Sequence, residues 1–303
     1  MDERITAPEQ VQWFPGHMAK TRRLMKESLP LVDAVVELRD ARVPESSRNP
    51  ELNTLIGAKP KLILLNKCDL AEEAATNRWL AALRESGTVA LAVDCRSGKG
   101  INAFTPAVRL LLREQLSHRA ARGMAGKPVR LMVAGVPNTG KSSLINRLAG
   151  RTRAEAADKP GVTRQNRWYP IRETGRRSAQ ITMELLDTPG VLWPKFEDPA
   201  VGERLAFLGA IKDDILDVEA LACRLLEVLK ARGYTRRVSE RYKLPAEAAA
   251  QPGWQLLEVI AHARGMRLPG GEPDTFRAAG TLLDELRGGR LGRITLELPE
   301  DVV

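Results

Sequence analysis

The sequence predicts an α/β protein: a doubly wound, mostly parallel sheet within residues 1–195, followed by a smaller, mainly α-helical domain in residues 196–303. Three observations carry that expectation. Short apolar runs at residues 32–38, 61–65, 88–93 and 129–134 alternate with amphipathic helical stretches, as strands buried in a parallel sheet do. Each of these runs ends in a loop of polar or glycine residues. Beyond Leu192 the chain changes character: a connector punctuated by Pro and Gly (residues 192–214) leads into four stretches with helical apolar spacing, at 218–231, 237–242, 254–264 and 276–287.

Taken in order, residues 11–20 (VQWFPGHMAK) place two aromatics before a Pro-Gly turn and put His17 at the mouth of a helix over 20–29. Packing of Trp13 and Phe14 on the core is the plain explanation of that segment. The strand at 32–38 runs into Arg39-Asp40-Ala41-Arg42, and residues 43–50 (VPESSRNP) are too polar and proline-rich for regular structure. The strand at 61–65 ends in Asn66-Lys67-Cys68-Asp69; a helix over 72–86 and a strand over 88–93 follow. The next loop holds Cys95 and Arg96, and a long helix is expected over 102–119. After the strand at 129–134 comes a glycine-bearing loop, then a helix from Lys141. Residues 151–167 read as a loop containing Thr163, and 167–172 with 179–186 as a hairpin around Thr174-Gly175.

Residues 135–142 fit G-x-x-x-x-G-K-[ST] between a strand and a helix, the context in which loop amides and a helix N-terminus hold a polyphosphate. The predicted phosphate contacts are Pro137, Asn138, Thr139, Gly140, Lys141, Ser142 and Ser143. Lys141 reaches the β/γ-phosphates and counts as catalytic, and Ser142 offers a hydroxyl to Mg²⁺. Asn66-Lys67-Cys68-Asp69 stands at a strand's C-terminal end, where α/β sheets bind ligands. The Asp69 carboxylate can accept from N1–H and the exocyclic amine of guanine, which adenine does not offer. Asn66 can meet the base edge and brace the phosphate loop, while the stem of Lys67 covers the ring. Cys95-Arg96 takes the place where guanine-binding proteins offer a backbone N–H to the base carbonyl. Asp187-Thr188-Pro189-Gly190 closes the set: Asp187 holds Mg²⁺ through water, the Gly190 amide senses the γ-phosphate, and Thr163 supplies a metal-directed, catalytic hydroxyl from a switch-like loop.

The chain has 303 residues, enough for two domains, and 43% hydrophobic residues with only 4% aromatics, so its core is largely aliphatic. A net charge of +9 fits a polyanionic partner (RNA, DNA or an anionic membrane surface) and equally a generically basic proteome. Three widely spaced cysteines argue for a reducing compartment, without disulfides or zinc. No apolar run approaches the roughly 18 residues of a membrane span, and the N-terminus has no leader-like apolar core; a cytoplasmic location is expected. Basic clusters at 230–243 and 287–293 are candidate RNA contacts or simply solvated helix faces.

The guanine-type motif precedes the phosphate loop instead of following the D-x-x-G, so the nucleotide domain reads as circularly permuted. In WFPGHMAK, DARVPESSRNP, LLNKCD, GVPNTGKSSLINRL, DKPGVT, LLDTPGVLWPKFED and GAIKDD, nearly the whole chain resembles the YlqF/RbgA family of circularly permuted GTPases. The resemblance implies a GTP-hydrolysing P-loop switch that binds ribosomal RNA on a precursor of the large ribosomal subunit. It also gives His17 a catalytic role. Asn138 matches relatives that bind K⁺ beside the phosphates, although it would equally serve as a loop cap. Where many GTPases carry a glutamine after the D-x-x-G glycine, this chain has Val191 and Leu192, so slow intrinsic hydrolysis is expected. A GTPase acting on another RNA or ribonucleoprotein is the alternative. A small-molecule P-loop kinase and a membrane-surface GTPase are disfavoured by the guanine motif and by the lack of a lipidation motif.

Overall fold

The structure, a computed structural model, describes residues 15–150, 167–172, 181–188, 190, 192–193 and 196–301, the side chains of residues 15–21 and 172 excepted. Its strands are β1 (Ala34–Asp40), β2 (Lys61–Asn66), β3 (Val89–Ala92), β4 (Val129–Ala134), β5 (Arg167–Arg172) and β6 (Thr182–Asp187). They form one sheet in the order β3-β2-β1-β4-β6-β5. Every neighbouring pair is parallel except β5 and β6, which pair antiparallel as expected; the turn expected at Thr174-Gly175 lies outside the described residues. From β1 the chain steps outward to β2 and β3, then returns to β4 and proceeds the other way. The crevice beyond the carboxyl ends of β1 and β4 is therefore the topological switch point, where doubly wound sheets bind ligands.

Helices α1 (Pro15–Ser28), α2 (Pro50–Ile56), α3 (Glu73–Glu85), α4 (Phe104–Leu111), α5 (Arg113–Ala121) and α6 (Lys141–Ala149) accompany the sheet. Strand alternation decides which helix covers which face. Val36, Leu38, Leu62, Leu64, Leu131, Val133 and Leu185 pack with Phe104, Val108, Leu144 and Ile145 of α4 and α6. Val35, Met132, Ala134 and Leu186 pack with Met25, Leu52 and Ile56 of α1 and α2, while Ile63 and Leu65 meet Trp79 and Leu80 of α3. With both faces covered, the central strands have to be apolar throughout, which is why they read as continuous runs.

A second compact unit is formed by residues 196–296, whereas the residues from Glu297 onward belong to the sheet-containing unit. In the second unit, α8 (Val218–Ala231) packs against α7 (Pro199–Phe207), α10 (Gly253–Ala263) and α11 (Thr275–Arg287), with α9 (Thr235–Tyr242) alongside. Leu225, Leu226, Leu229, Leu257, Ile260, Leu282 and Leu283 fill its core. Gly253 is required where it stands: a Cβ there would strike the main-chain oxygen of Cys223 on α8.

Three expectations need correction. The helix assigned to residues 20–29 begins at Pro15, so Pro15 and Gly16 form its first turn instead of a turn before it; proline suits the first helical position because its missing N–H has no intrahelical partner there. The long helix over 102–119 is two helices that meet at Leu112 (φ −104°, ψ 17°). The bend keeps Leu112 in the core and lets Gln115 and Arg119 reach the Asp33 carboxylate. The connector expected at residues 192–214 contains α7, whose start was visible in Asp198-Pro199: the Asp198 side chain accepts the Ala200 N–H (2.8 Å) and Pro199 takes the first helical position.

Candidate nucleotide-binding site

At the end of β4 the backbone folds into a concave loop. A Cβ on Gly135 would lie 2.6 Å from the Leu38 carbonyl oxygen, so only glycine passes there. Asn138 (φ +61°) and Gly140 (φ +96°) adopt left-handed conformations that curl the chain before α6. Thr139 is buried and its hydroxyl donates to the Val136 carbonyl (2.9 Å). Lys141, the first residue of α6, is buried too, and its ammonium donates to the carbonyls of Gly135 (3.0 Å) and Val136 (2.9 Å). Burial pulls its pKa down to about 8, against the Asp187 carboxylate, which acts the other way. Ser142 and Ser143 are half-buried in the first turn of α6, where free N–H groups and the helix dipole favour an anion.

Asp187 is the last residue of β6, buried, in register with Val133 on β4. The next residue anchors the turn: the Thr188 hydroxyl donates to the Val133 carbonyl (2.7 Å). Gly190 then passes so close to the phosphate loop that a Cβ would lie 2.9 Å from the Lys141 ammonium and 3.0 Å from Pro137. Asp187 and Ser142 thus bring hard oxygen donors to the loop that holds Lys141, a donor set suited to Mg²⁺ shared with phosphate oxygens. Among the described residues no group of three or more His, Cys, Asp or Glu forms a metal cage.

The guanine-type loops are tied to this centre by Asn66. Its side chain, 2% exposed, donates from Nδ2 to the Thr139 carbonyl (2.7 Å) and accepts the Cys95 N–H through Oδ1 (3.0 Å). A Cβ on Gly140 would collide with Asn66 Nδ2, so the second glycine of the motif makes room for this brace. Lys67 has φ +59° and its ammonium lies 3.2 Å from Asp40. Asp40 also receives the Arg42 N–H (3.1 Å), Nε (2.9 Å) and Nη2 (2.9 Å), and Asp40 and Arg42 are both buried. Burial opposes the Asp40 charge, but Arg42 and Lys67 outweigh it and hold the carboxyl well below the usual carboxylate range. Asp69 is half-buried beyond them.

At Cys95 and Arg96 the structure shows what shapes the loop: the Cys95 N–H is given to Asn66 and the Arg96 N–H to the Asp94 carboxylate (2.8 Å). Burial pushes the Cys95 thiol up to about 12. Sequence reasoning missed Arg147, which reaches from α6 to the carbonyls of Cys95 (Nε, 3.1 Å) and Arg96. Nothing in its spacing marks it; only the fold shows that the helix after the phosphate loop clamps the Cys95 loop. Thr163 and Val191 lie outside the described residues, as does the side chain of His17, whose backbone is in the first turns of α1. Leu192 is buried.

The two basic clusters separate into structural and exposed members. Arg241 (2.9 and 2.5 Å) and Arg264 (3.2 Å) neutralise the buried Glu285, and Arg237 stacks on the Tyr234 ring at 4.9 Å. Arg287 grips Asp213 (2.6 and 2.7 Å) and the carbonyls of Ala206 and Phe207. Arg236 faces solvent beside Glu240.

With the Asn66 motif on β2 coming earlier in the chain than the phosphate loop after β4, and Gly190 packed on that loop, the molecule is a circularly permuted P-loop GTPase. The comparisons with known proteins extend this. The family model described as "50S ribosome-binding GTPase" matches residues 130–245, starting in β4, where an unpermuted domain of this kind begins. The chain belongs to the YlqF/RbgA family, the ribosome biogenesis GTPases A. It is 42% identical to Ribosome biogenesis GTPase A of Bacillus cereus over 96% of this chain and 95% of that one. It is 37% identical to the mouse Mitochondrial ribosome-associated GTPase 1 over 94% and 90% of the two chains. Among solved structures, GNP-bound YlqF from T. maritima superposes with a TM-score of 0.64 at 26% identity, over 93% of this chain and all of that one (100%).

Proposed function

We propose that this protein is a GTP-hydrolysing assembly factor that acts late in maturation of the large ribosomal subunit, binding ribosomal RNA as a nucleotide-gated switch. The observation that carries the reading is Asn66, which joins the guanine-type loop, the Cys95 loop and the phosphate loop in one pair of hydrogen bonds. Asp69 reads guanine, Lys67 covers the ring, and the amides of residues 137–143 with the Lys141 ammonium receive the phosphates. Mg²⁺ held by Ser142, Thr163 and Asp187 would neutralise and orient the β- and γ-phosphates. Asn138 offers an oxygen for K⁺ at the same loop. The Gly190 amide senses the γ-phosphate, and His17 positions the attacking water when the N-terminal segment folds over the nucleotide. The helical unit offers exposed arginines such as Arg236 to RNA, while the chain's positive excess lies in residues 1–195, with 32 Lys and Arg against 20 Asp and Glu, and adds a further attraction for a polyanion. The site of action is the bacterial cytoplasm; among the described residues no helix is long and apolar enough to cross a membrane.

The test is GTP turnover with and without purified large subunits, in K⁺ and in Na⁺, for the wild type and His17→Ala. Slow basal hydrolysis, stimulation by large subunits of the order of 10³–10⁵ as partner-supplied groups give elsewhere, faster turnover in K⁺, and loss of stimulation in His17→Ala with GTP binding intact are expected. Fast, unstimulated hydrolysis in Na⁺ that ignores His17 would overturn the mechanism.

A further inference from the structure

The last described residues pack with the sheet-containing unit, and Glu297 is where the chain re-enters it. Glu297 is 2% exposed. Its carboxylate accepts the N–H of Glu45 (2.9 Å), 252 residues upstream, the N–H of Ser46 (3.1 and 3.0 Å to its two oxygens) and the Ser46 hydroxyl. Its main-chain oxygen accepts the indole N–H of Trp79 on α3 (2.9 Å). Just beyond, Arg78 pairs with Glu300, and the Asp301 carboxylate accepts the Leu298 N–H (2.7 Å).

The sequence marked the loop so capped only as irregular, and in the structure residues 41–49 are mostly buried. A buried irregular segment cannot leave its amides unsatisfied. Two of them, in consecutive residues, converge on the Glu297 carboxylate, while others are met locally. The Ser47 hydroxyl accepts the Asp40 N–H (3.0 Å) and donates to the Val43 carbonyl (2.6 Å). From β1, Arg39 donates to the Pro44 carbonyl (3.4 Å) and lies 3.8 Å from the Glu45 carboxylate. Asp40 then holds Arg42 and Lys67. Contacts and one covalent step, from Ser46 to Ser47, therefore lead from Glu297 through the loop to the main chain of Asp40, whose carboxylate holds Lys67 in the guanine-type motif.

We propose that Glu297 is a positioning residue for the guanine nucleotide. By fixing residues 45–46 it sets the loop that places Asp40, and through Asp40 it orients Lys67. This rests on reading residues 66–69 as the guanine motif. Glu297 directly follows Leu296, the last residue of the helical unit. That unit is therefore an insertion in the chain of the nucleotide unit, and its outgoing end is covalently joined to the residue that steadies the guanine motif.

The experiment uses the full chain and compares wild type with Glu297→Ala, Glu297→Gln and Ser46→Ala. It reads amide exchange at Glu45 and Ser46, affinity for fluorescent GDP and GTP with ATP as competitor, and the KM and kcat of GTP turnover. Glu297→Ala should deprotect both amides, weaken GDP and GTP together by about tenfold, the scale of one charge-assisted hydrogen bond, and raise KM more than it lowers kcat. Glu297→Gln keeps an accepting oxygen and should be milder, with Ser46→Ala milder still. Lost protection with wild-type affinity for both nucleotides would overturn the proposal and leave Glu297 as a stabilising contact only. If Glu297→Ala does not fold, wild-type affinity in both Glu297→Gln and Ser46→Ala overturns it equally. A wild type that binds ATP as well as GTP would instead overturn the guanine reading itself.

Discussion

Replacing Asn66 probes the junction of the nucleotide site. In Asn66→Ala the Thr139 carbonyl loses its donor and the Cys95 N–H its acceptor, both at a buried position. Each missing bond costs about 0.5–1.5 kcal/mol net, and each buried group left without a partner about 1–3 kcal/mol, relieved in part because water can enter a ligand crevice. A total of about 2–4 kcal/mol follows, or roughly 30- to 1000-fold in affinity if all of it appears in binding. Because neither bond involves a γ-phosphate, GDP and GTP should weaken equally. Asn66→Asp gives a sharper version. It keeps an acceptor for Cys95 but turns a carboxylate toward the Thr139 carbonyl, so at neutral pH two acceptors face each other. Protonation converts that carboxylate into a donor, so its deficit should shrink as pH falls toward 5, whereas the Asn66→Ala deficit should not. Titration with fluorescent GDP and GTP across pH, alongside thermal unfolding, checks this. If Asn66→Ala binds both nucleotides within twofold of wild type and melts at the same temperature, the brace has no energetic role and the reasoning fails.

Other perturbations address separate parts. Asp69→Asn should cost GTP about 1.5–3 kcal/mol for each charge-assisted hydrogen bond removed and should improve binding of xanthosine nucleotides; unchanged GTP affinity in competition assays would remove Asp69 from the base site. Asp40→Asn leaves the buried Arg42 guanidinium without its counter-charge and should lower unfolding stability by about 3–5 kcal/mol in denaturant titrations. The Asp40 carboxyl is depressed below its ordinary value of 3.8 in the folded state, so its stabilisation is present above about pH 4 and is lost as pH falls further; the gap between wild type and variant should close in that direction. For the RNA surface, Arg236→Glu should flatten the log–log salt dependence of ribosome binding by about 0.7–0.9 for each phosphate that is no longer neutralised. Arg241→Glu should instead unfold the helical unit by turning a second negative charge toward buried Glu285.

The sheet and the nucleotide motifs were legible because their constraints are local. A buried parallel strand must be apolar over its whole length, and a phosphate loop needs glycine where Gly135 and Gly140 meet Leu38 and Asn66. What stayed hidden were interactions between residues far apart in sequence. Arg147 lies in an unremarkable helical turn and Glu297 near the end of the chain; their roles exist only once α6 lies beside the Cys95 loop and the terminal residues beside α3. The Arg42–Asp40 pair was visible as a charged tetrapeptide, but its burial was not, because a loop rich in Pro, Ser and Glu reads only as irregular. The same blindness made Arg241 and Arg287 look like RNA contacts: a positive charge in a sequence does not show whether a carboxylate already holds it.

The permuted order changes what the nucleotide can move. In an unpermuted domain the chain beyond D-x-x-G goes on to further strands of the same sheet, whose ladders resist displacement there. Here β6 is the last strand of the described chain, Gly190 packs on Lys141 and Pro137, and the segment after it leaves the nucleotide unit for the helical one. Under the proposed role of the Gly190 amide as a γ-phosphate sensor, a rearrangement at Gly190 would meet no later described strand of the sheet to hold it back. The exit of that unit is Glu297, joined through the loop after β1 to Asp40 and Lys67.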